Sequence, residues 1–196
     1  MKKSWIITGV IIILALIIYG SIKNTYNRIV QMEQQVESQW SNVENVYQRR
    51  ADLIPNLVNT VKGYAEHERE TLQEVIEARS KATSTNVDAE NLSPEQIEQF
   101  QQNQQALGSA LSRLMVVVER YPDLKASENF RQLQAQLEGT ENRISVERRR
   151  FNESARDYNT YIDQFPQKIY ANLFDFDEKA YFEAQEGAEE APDVEF

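Results

Sequence analysis

The chain holds a single histidine, His67, in the stretch "YAEHERETL", and most side-chain catalysis here would have to turn on it. A zinc-protease signature needs a second histidine four residues on, where Thr71 stands. A di-iron bundle needs a glutamate three residues before each histidine, where Tyr64 stands. A nucleophilic serine would have to borrow the same imidazole as its base. There is no cysteine to act as thiolate or metal ligand, and no glycine-rich loop to cradle a phosphate. Glu66, Glu68, Glu70, Glu74 and Glu77 crowd around His67, but Arg69 lies among them and such a run reads as a solvated, ion-paired helix face. The residues therefore predict no catalytic, cofactor-binding or metal-binding site, and a protein that is not an enzyme.

The other concentrated chemistry is charge. "ERRRF" places Arg148, Arg149 and Arg150 together, and guanidinium forks suit carboxylates and anionic headgroups. Two readings follow, a contact with lipid or another subunit, or pairing with glutamates of the first helix within the chain. From Asn172 to Phe196 nine acids face Lys179 alone, while the preceding residues, with 22 acids and 20 bases, are nearly neutral. A near-neutral body with an acidic tail offers no basic face for a phosphate backbone, so nucleic acid is not expected as a partner.

These groups must be positioned by helices, since only 6 glycines and 5 prolines interrupt 196 residues rich in Glu, Gln, Ala and Leu. "MKKSWIITGVIIILALIIYGSIK" is uncharged from Ser4 to Ile22. As a helix, Trp5 to Ile22 would be about 27 Å long, close to a bilayer core of about 30 Å. Lys2, Lys3 and Lys23 flank it, and Trp5 and Tyr19 sit where interfacial aromatics belong. A cleaved signal would put bulky Ile18 where a small residue is wanted before Gly20, so a retained anchor over residues 1–22 is expected. Lys2, Lys3 and the amino terminus slightly outweigh Lys23 and Arg28, which predicts a single-pass inner-membrane protein with its bulk on the extracytoplasmic side.

Beyond the anchor, Met32, Val36, Trp40, Val43, Val46, Leu53, Leu57, Val61, Tyr64, Leu72, Val75 and Ile76 recur at helical spacing. This predicts one helix from Ile22 to Thr83, about 93 Å long and continuous with the span. Pro55 lies inside it and removes a donor to Ala51, so a kink is expected there, with Arg49, Arg50, Asp52, Asn56 or Asn59 relieving the freed carbonyls. A second helix opens at "LSPEQ" with Ser93 as N-cap and Pro94 in the first turn, and carries Ile97, Phe100, Leu107, Leu111, Leu114 and Val118. A third carries Phe130, Leu133, Leu137, Ile144, Phe151, Ala155, Tyr158 and Ile162 and ends before Pro166. Such stripes bury one another in an all-α, elongated antiparallel bundle of about three long helices over residues 23–165. Residues 166–196 form an aromatic and acidic tail. Its Phe174, Phe176, Tyr181 and Phe182 are expected to dock on protein, because disordered acidic tails seldom carry such aromatics. Val194 and Phe196 at the end offer apolar side chains beside a carboxylate, suited to a carboxylate-capturing groove, against the alternative of a frayed end.

The segments "YNRIVQMEQQVESQWSNVENVYQRRADLIPNLVNTVKGYAEHERETL", "YPDLKASENFRQLQAQLEGTENRISVERRRFNESARDYNTYI" and "YFEAQEGAEEAPDVEF" resemble the LemA family over nearly the whole chain. The resemblance implies a single-pass membrane protein with a helical bundle, no established enzymatic activity, and no catalytic residues to carry over. It associates some relatives with magnetosome membranes and others with genes for membrane peptidases. It also favours an external N-terminus, opposite to the pull of Lys2 and Lys3.

Two functions are expected from these readings. A first helix of about 93 Å beside a second of about 40 Å leaves an apolar stripe uncovered. Copies of the chain are its simplest cover, which predicts a self-assembling scaffold, in a ring or cage for instance, that organises or shapes membrane. The alternative is an adaptor presenting partners to a membrane peptidase through the acidic tail.

Overall fold

The structure is a computed structural model that describes residues 2–65, 67–85, 87, 89 and 92–183. Among them the fold is all-α, with six helices: α1 (Lys2–Lys62), α2 (Arg69–Ser84), α3 (Pro94–Val118), α4 (Pro122–Ala126), α5 (Glu128–Asp163) and α6 (Gln167–Leu173).

α1 carries the apolar run and the bundle's central rod without interruption. The large apolar side chains from Trp5 to Tyr19 remain exposed, as side chains facing lipid would. Past the span the stripe turns inward, and Ile29, Val36, Trp40, Val43, Tyr47, Ile54, Leu57 and Val61 are buried. This face is rotated slightly from the one expected: Tyr47 and Ile54, rather than Val46 and Leu53, reach the centre of the core.

The rod ends earlier than periodicity predicts. It stops at Lys62, the chain turns at Gly63 and Tyr64, and α2 folds back along α1. The turn is anchored from elsewhere: Glu68 accepts from Arg120 Nη2 at 3.1 Å and from the Tyr121 hydroxyl at 3.0 Å. The helix expected to reach Thr83 is therefore two, and the part of α1 beyond Ile22 is about 60 Å long, near the roughly 54 Å of α5. α5 runs antiparallel to α1, with Phe151 opposite Trp40 and Glu141 opposite Arg50. α2 and α3 are antiparallel too, since Gln104 meets Ala82 and Arg113 meets Glu74. Most of the stripe that was expected to lack an intrachain partner is covered by these helices, while Tyr64 and Ile76 stay about half-exposed.

Ser93 caps α3 as expected, its hydroxyl accepting from the Gln96 amide at 3.4 Å. α1 passes through Pro55, and the carbonyl of Ala51 that the proline leaves without its helical donor accepts from Arg79 Nε of α2 at 2.8 Å. The relief comes from the neighbouring helix, not from the polar side chains beside the proline. Arg79→Ala is expected to cost about 1–3 kcal/mol by stranding that buried acceptor. In a Pro55→Ala background the restored amide refills the bond and most of the cost disappears. A double-mutant cycle by thermal unfolding in detergent measures the coupling.

Candidate tail-docking groove

α6 ends in a turn that aims the rest of the chain. Asp175 takes a left-handed φ of 56°, and the Phe176 amide donates back to Ala171 O at 3.0 Å, a Schellman closure with aspartate in the usual glycine place. The chain then runs extended over the bundle as far as Glu183.

Two asparagines of α5 receive it. Asn159 Oδ1 accepts from the Lys179 amide at 2.9 Å while its Nδ2 donates to the Lys179 carbonyl at 2.8 Å. Asn152 repeats the arrangement three residues along, accepting from the Phe182 amide and donating to the Phe182 carbonyl, both at 2.9 Å. A side-chain amide thereby satisfies a whole peptide unit's residue, as a neighbouring strand would. Seven residues separate the asparagines, two helical turns on one face of α5.

Side chains supply the grip. Phe182 is buried against Trp40, Phe151 and Phe100, with ring centroids 5.7, 5.5 and 6.3 Å away. Trp40 is the hub, 0% exposed and also 5.2 Å from Phe100. Lys179 lies buried with Nζ 2.7 Å from Glu33 Oε1 and over the Tyr158 ring. Burial, with Glu33 and Asp177 adding to it, pushes the Tyr158 phenol far above its ordinary range, so it stays neutral beside the pair. Phe174 and Phe176 rest on Tyr26 near the foot of α1, and Tyr181 keeps its ring half-exposed while its hydroxyl accepts from Asn159.

Beyond the docked segment a cleft of about 1000 Å³ opens between α3 and α5. Arg50 spans it, donating to Glu141 of α5 at 3.0 Å and to Gln104 Oε1 and O of α3 at 2.7 and 3.2 Å. Burial raises the Tyr47 phenol beside it, with Arg148 and Arg50 opposing. At the rim, Arg148 Nη2 donates to Glu183 O at 2.8 Å, its guanidinium 4.8 Å from the Phe182 ring, and Gln101 donates to the same carbonyl.

The residues singled out from the sequence are thus distributed. Phe182 meets Arg148 at the groove and Tyr181 meets Asn159, whereas Phe174 and Phe176 sit apart on Tyr26. Arg150 pairs with Glu147 one turn back, and Arg149 takes no part in the groove. Lys2, Lys3, Trp5, Tyr19 and Lys23 lie on α1, and Pro55 is satisfied through Arg79. Val194 and Phe196 lie outside the described residues. Asn152 and Asn159 went unmarked in the sequence, although asparagine repeated at seven residues on a helix's buried face is the signal that finds them. Among the described residues no group of three or more His, Cys, Asp or Glu side chains could hold a metal.

With this geometry in hand, comparison with known proteins places the chain. The LemA family model matches residues 39–196, a range that includes the Trp40 hub and the docked segment up to Glu183. The chain belongs to the LemA family. It is 28% identical over 178 residues to the magnetosome protein MamQ of Magnetospirillum gryphiswaldense, a match covering 80% of this chain and 64% of that protein. It is 26% identical over 160 residues to the protein LemA of Metamycoplasma hominis, covering 82% of this chain and 69% of that one. The chain thus spans just under two thirds of the magnetosome relative it matches. As a LemA-family chain it is a membrane-associated helical protein, and among the described residues one helix is long and apolar enough to cross a bilayer, which fits a single-pass arrangement.

Proposed function

We propose that the chain is a non-catalytic, membrane-anchored scaffold that self-assembles by exchanging its docked C-terminal segment between copies, and so organises or shapes the membrane that holds it. The observation that supports this is the pair of asparagine clamps on Lys179 and Phe182. They bind an extended backbone supplied by a terminal segment, and an identical segment from a second copy satisfies the same bonds. Exchange of an identical element is a low-cost route to assembly, and a head-to-tail exchange closes into rings when its rotation allows. Since α1 beyond the span is covered by its own chain, the docking of the tail, not an uncovered stripe, is the linkage in this reading. The similarity to a protein named for the magnetosome agrees with a role at a shaped membrane. We place the span in the inner membrane with the bundle extracytoplasmic, which protease treatment of intact spheroplasts tests.

Because the chain lacks cysteine, exchange is directly measurable. Full-length Arg148→Cys and Glu183→Cys proteins, mixed and treated with a short bifunctional thiol reagent, are expected to give covalent dimers joining one of each. Asn152→Ala with Asn159→Ala in the Arg148→Cys partner is expected to abolish them. Cross-linking confined to a single chain carrying both cysteines would overturn the exchange.

A second reading rests on where the docked segment leaves the groove. Glu183 is fixed at the rim by Arg148 and Gln101, and the acidic run that follows in sequence starts from that fixed point. An arm so rooted suits an adaptor that presents partners to a membrane peptidase. Deleting Gly187 to Phe196 then removes a co-purifying peptidase and leaves assembly intact; if no peptidase co-purifies with the full chain, the adaptor reading fails.

A further inference from the structure

α6 leaves a hydrophobic face uncovered at the end of the bundle nearest the span. Phe165, Ile169 and Leu173 are 84%, 55% and 65% exposed. Ile169 and Leu173, spaced by four, share one face of α6, and Phe165 is exposed just ahead of the helix. The opposite side of α6 is spent on the bundle, where Ala171 is buried in the core shared by α1 and α5. The level of this patch along the molecule is set by Tyr26, whose ring meets Phe174 at 5.1 Å. Tyr26 lies four residues past Ile22, the last residue of the uncharged run, so about 6 Å along the rod.

We infer that α6 is a second membrane contact: the patch of Phe165, Ile169 and Leu173 beds into the interface of the bilayer that α1 crosses. The bilayer is the occupant because α1 is one unbroken helix through both the span and Tyr26, so the patch stands at the surface that the span itself defines. Interfacial helices bury their apolar faces about 5–10 Å into the headgroup boundary, the depth that this offset requires. The charges on and beside α6 itself give no net pull toward anionic lipid: Lys168 is paired with Asp163 at 2.9 Å, and Asp175, Asp177 and Glu178 follow. Insertion is therefore apolar and occurs on zwitterionic lipid. Held at α1 and at α6, the bundle has two points of attachment and a fixed tilt, whether or not copies assemble.

Single cysteines at Phe165, Ile169 and Leu173, with Ile12 and Val116 as references, are labelled with an environment-sensitive fluorophore in the full chain. Val116 is 70% exposed at the far end of α3. The proteins are reconstituted in phosphatidylcholine vesicles with or without nitroxide lipids. The three α6 probes are expected to shift to the blue and be quenched by headgroup nitroxide, the Ile12 probe to be quenched by acyl-chain nitroxide, and the Val116 probe to be quenched by neither. Quenching at Ile12 with water-like emission at the three α6 sites would overturn this inference alone. Failure at Ile12 would overturn the span and the inference together. Blue-shifted α6 probes that resist nitroxide, and lose the shift when protein is diluted in excess lipid, would assign the patch to a second copy instead.

Discussion

Trp40→Ala is expected to destabilise the bundle by about 3–5 kcal/mol, the usual result of emptying a buried aromatic site. At about 2–4 °C per kcal/mol for a chain of this size, the thermal midpoint in detergent should fall by roughly 10 °C or more. The size of the effect follows from position. Trp40 meets Phe100 of α3, Phe151 of α5 and Phe182 of the tail, so its loss opens a void at the junction of three elements. Phe182 also loses the ring it stacks on, and proteolytic cleavage near Lys179 should become rapid in the variant while the wild type resists. An unchanged midpoint followed by circular dichroism would show that the aromatic junction does not hold the tail.

The second large effect belongs to Arg50, which ties α1 to both walls of the open cleft. Its guanidinium is buried, whereas its partner Glu141 is 55% exposed and regains water when the arginine is removed. The main cost of Arg50→Ala therefore falls on Gln104 Oε1, which loses its donor, while the Gln104 carbonyl keeps its helical bond within α3; the cost is about 2–3 kcal/mol with the lost packing included. Arg50→Lys should not restore it, because one ammonium cannot reproduce a planar fork directed at two helices. Gln104 also donates to Ala82 O of α2, so the disturbance should spread to the α2–α3 pair. Hydrogen exchange around Ala82 to Gln104 checks this; if alanine and lysine variants both unfold like wild type, the tie carries nothing.

Much of the architecture was legible because it rests on local rules. The uncharged run announced the span, Ser93 and Pro94 announced α3, and Pro166 announced the end of α5. The break after Lys62 was not legible. Gly63 alone costs a helix only about 1 kcal/mol, and the turn is held by Arg120 and Tyr121, more than fifty residues away in sequence. With that break missed, the first helix was overestimated, and a long uncovered stripe was expected where only Tyr64 and Ile76 are half-exposed. Pro55 follows the same logic, since its relief lies on α2, which only the turn brings alongside α1. The docking of the tail could be read from its aromatics, but its receptor was missed, because its one signal is the seven-residue repeat of Asn152 and Asn159, which by itself does not say that a backbone returns to them.

Light scattering on the detergent-solubilised full chain across micromolar concentrations tests the assembly claim most directly. The account predicts a protein mass several times the 22.8 kDa of one chain, falling to that value in the Asn152→Ala, Asn159→Ala variant. A wild type that stays at 22.8 kDa throughout would contradict it.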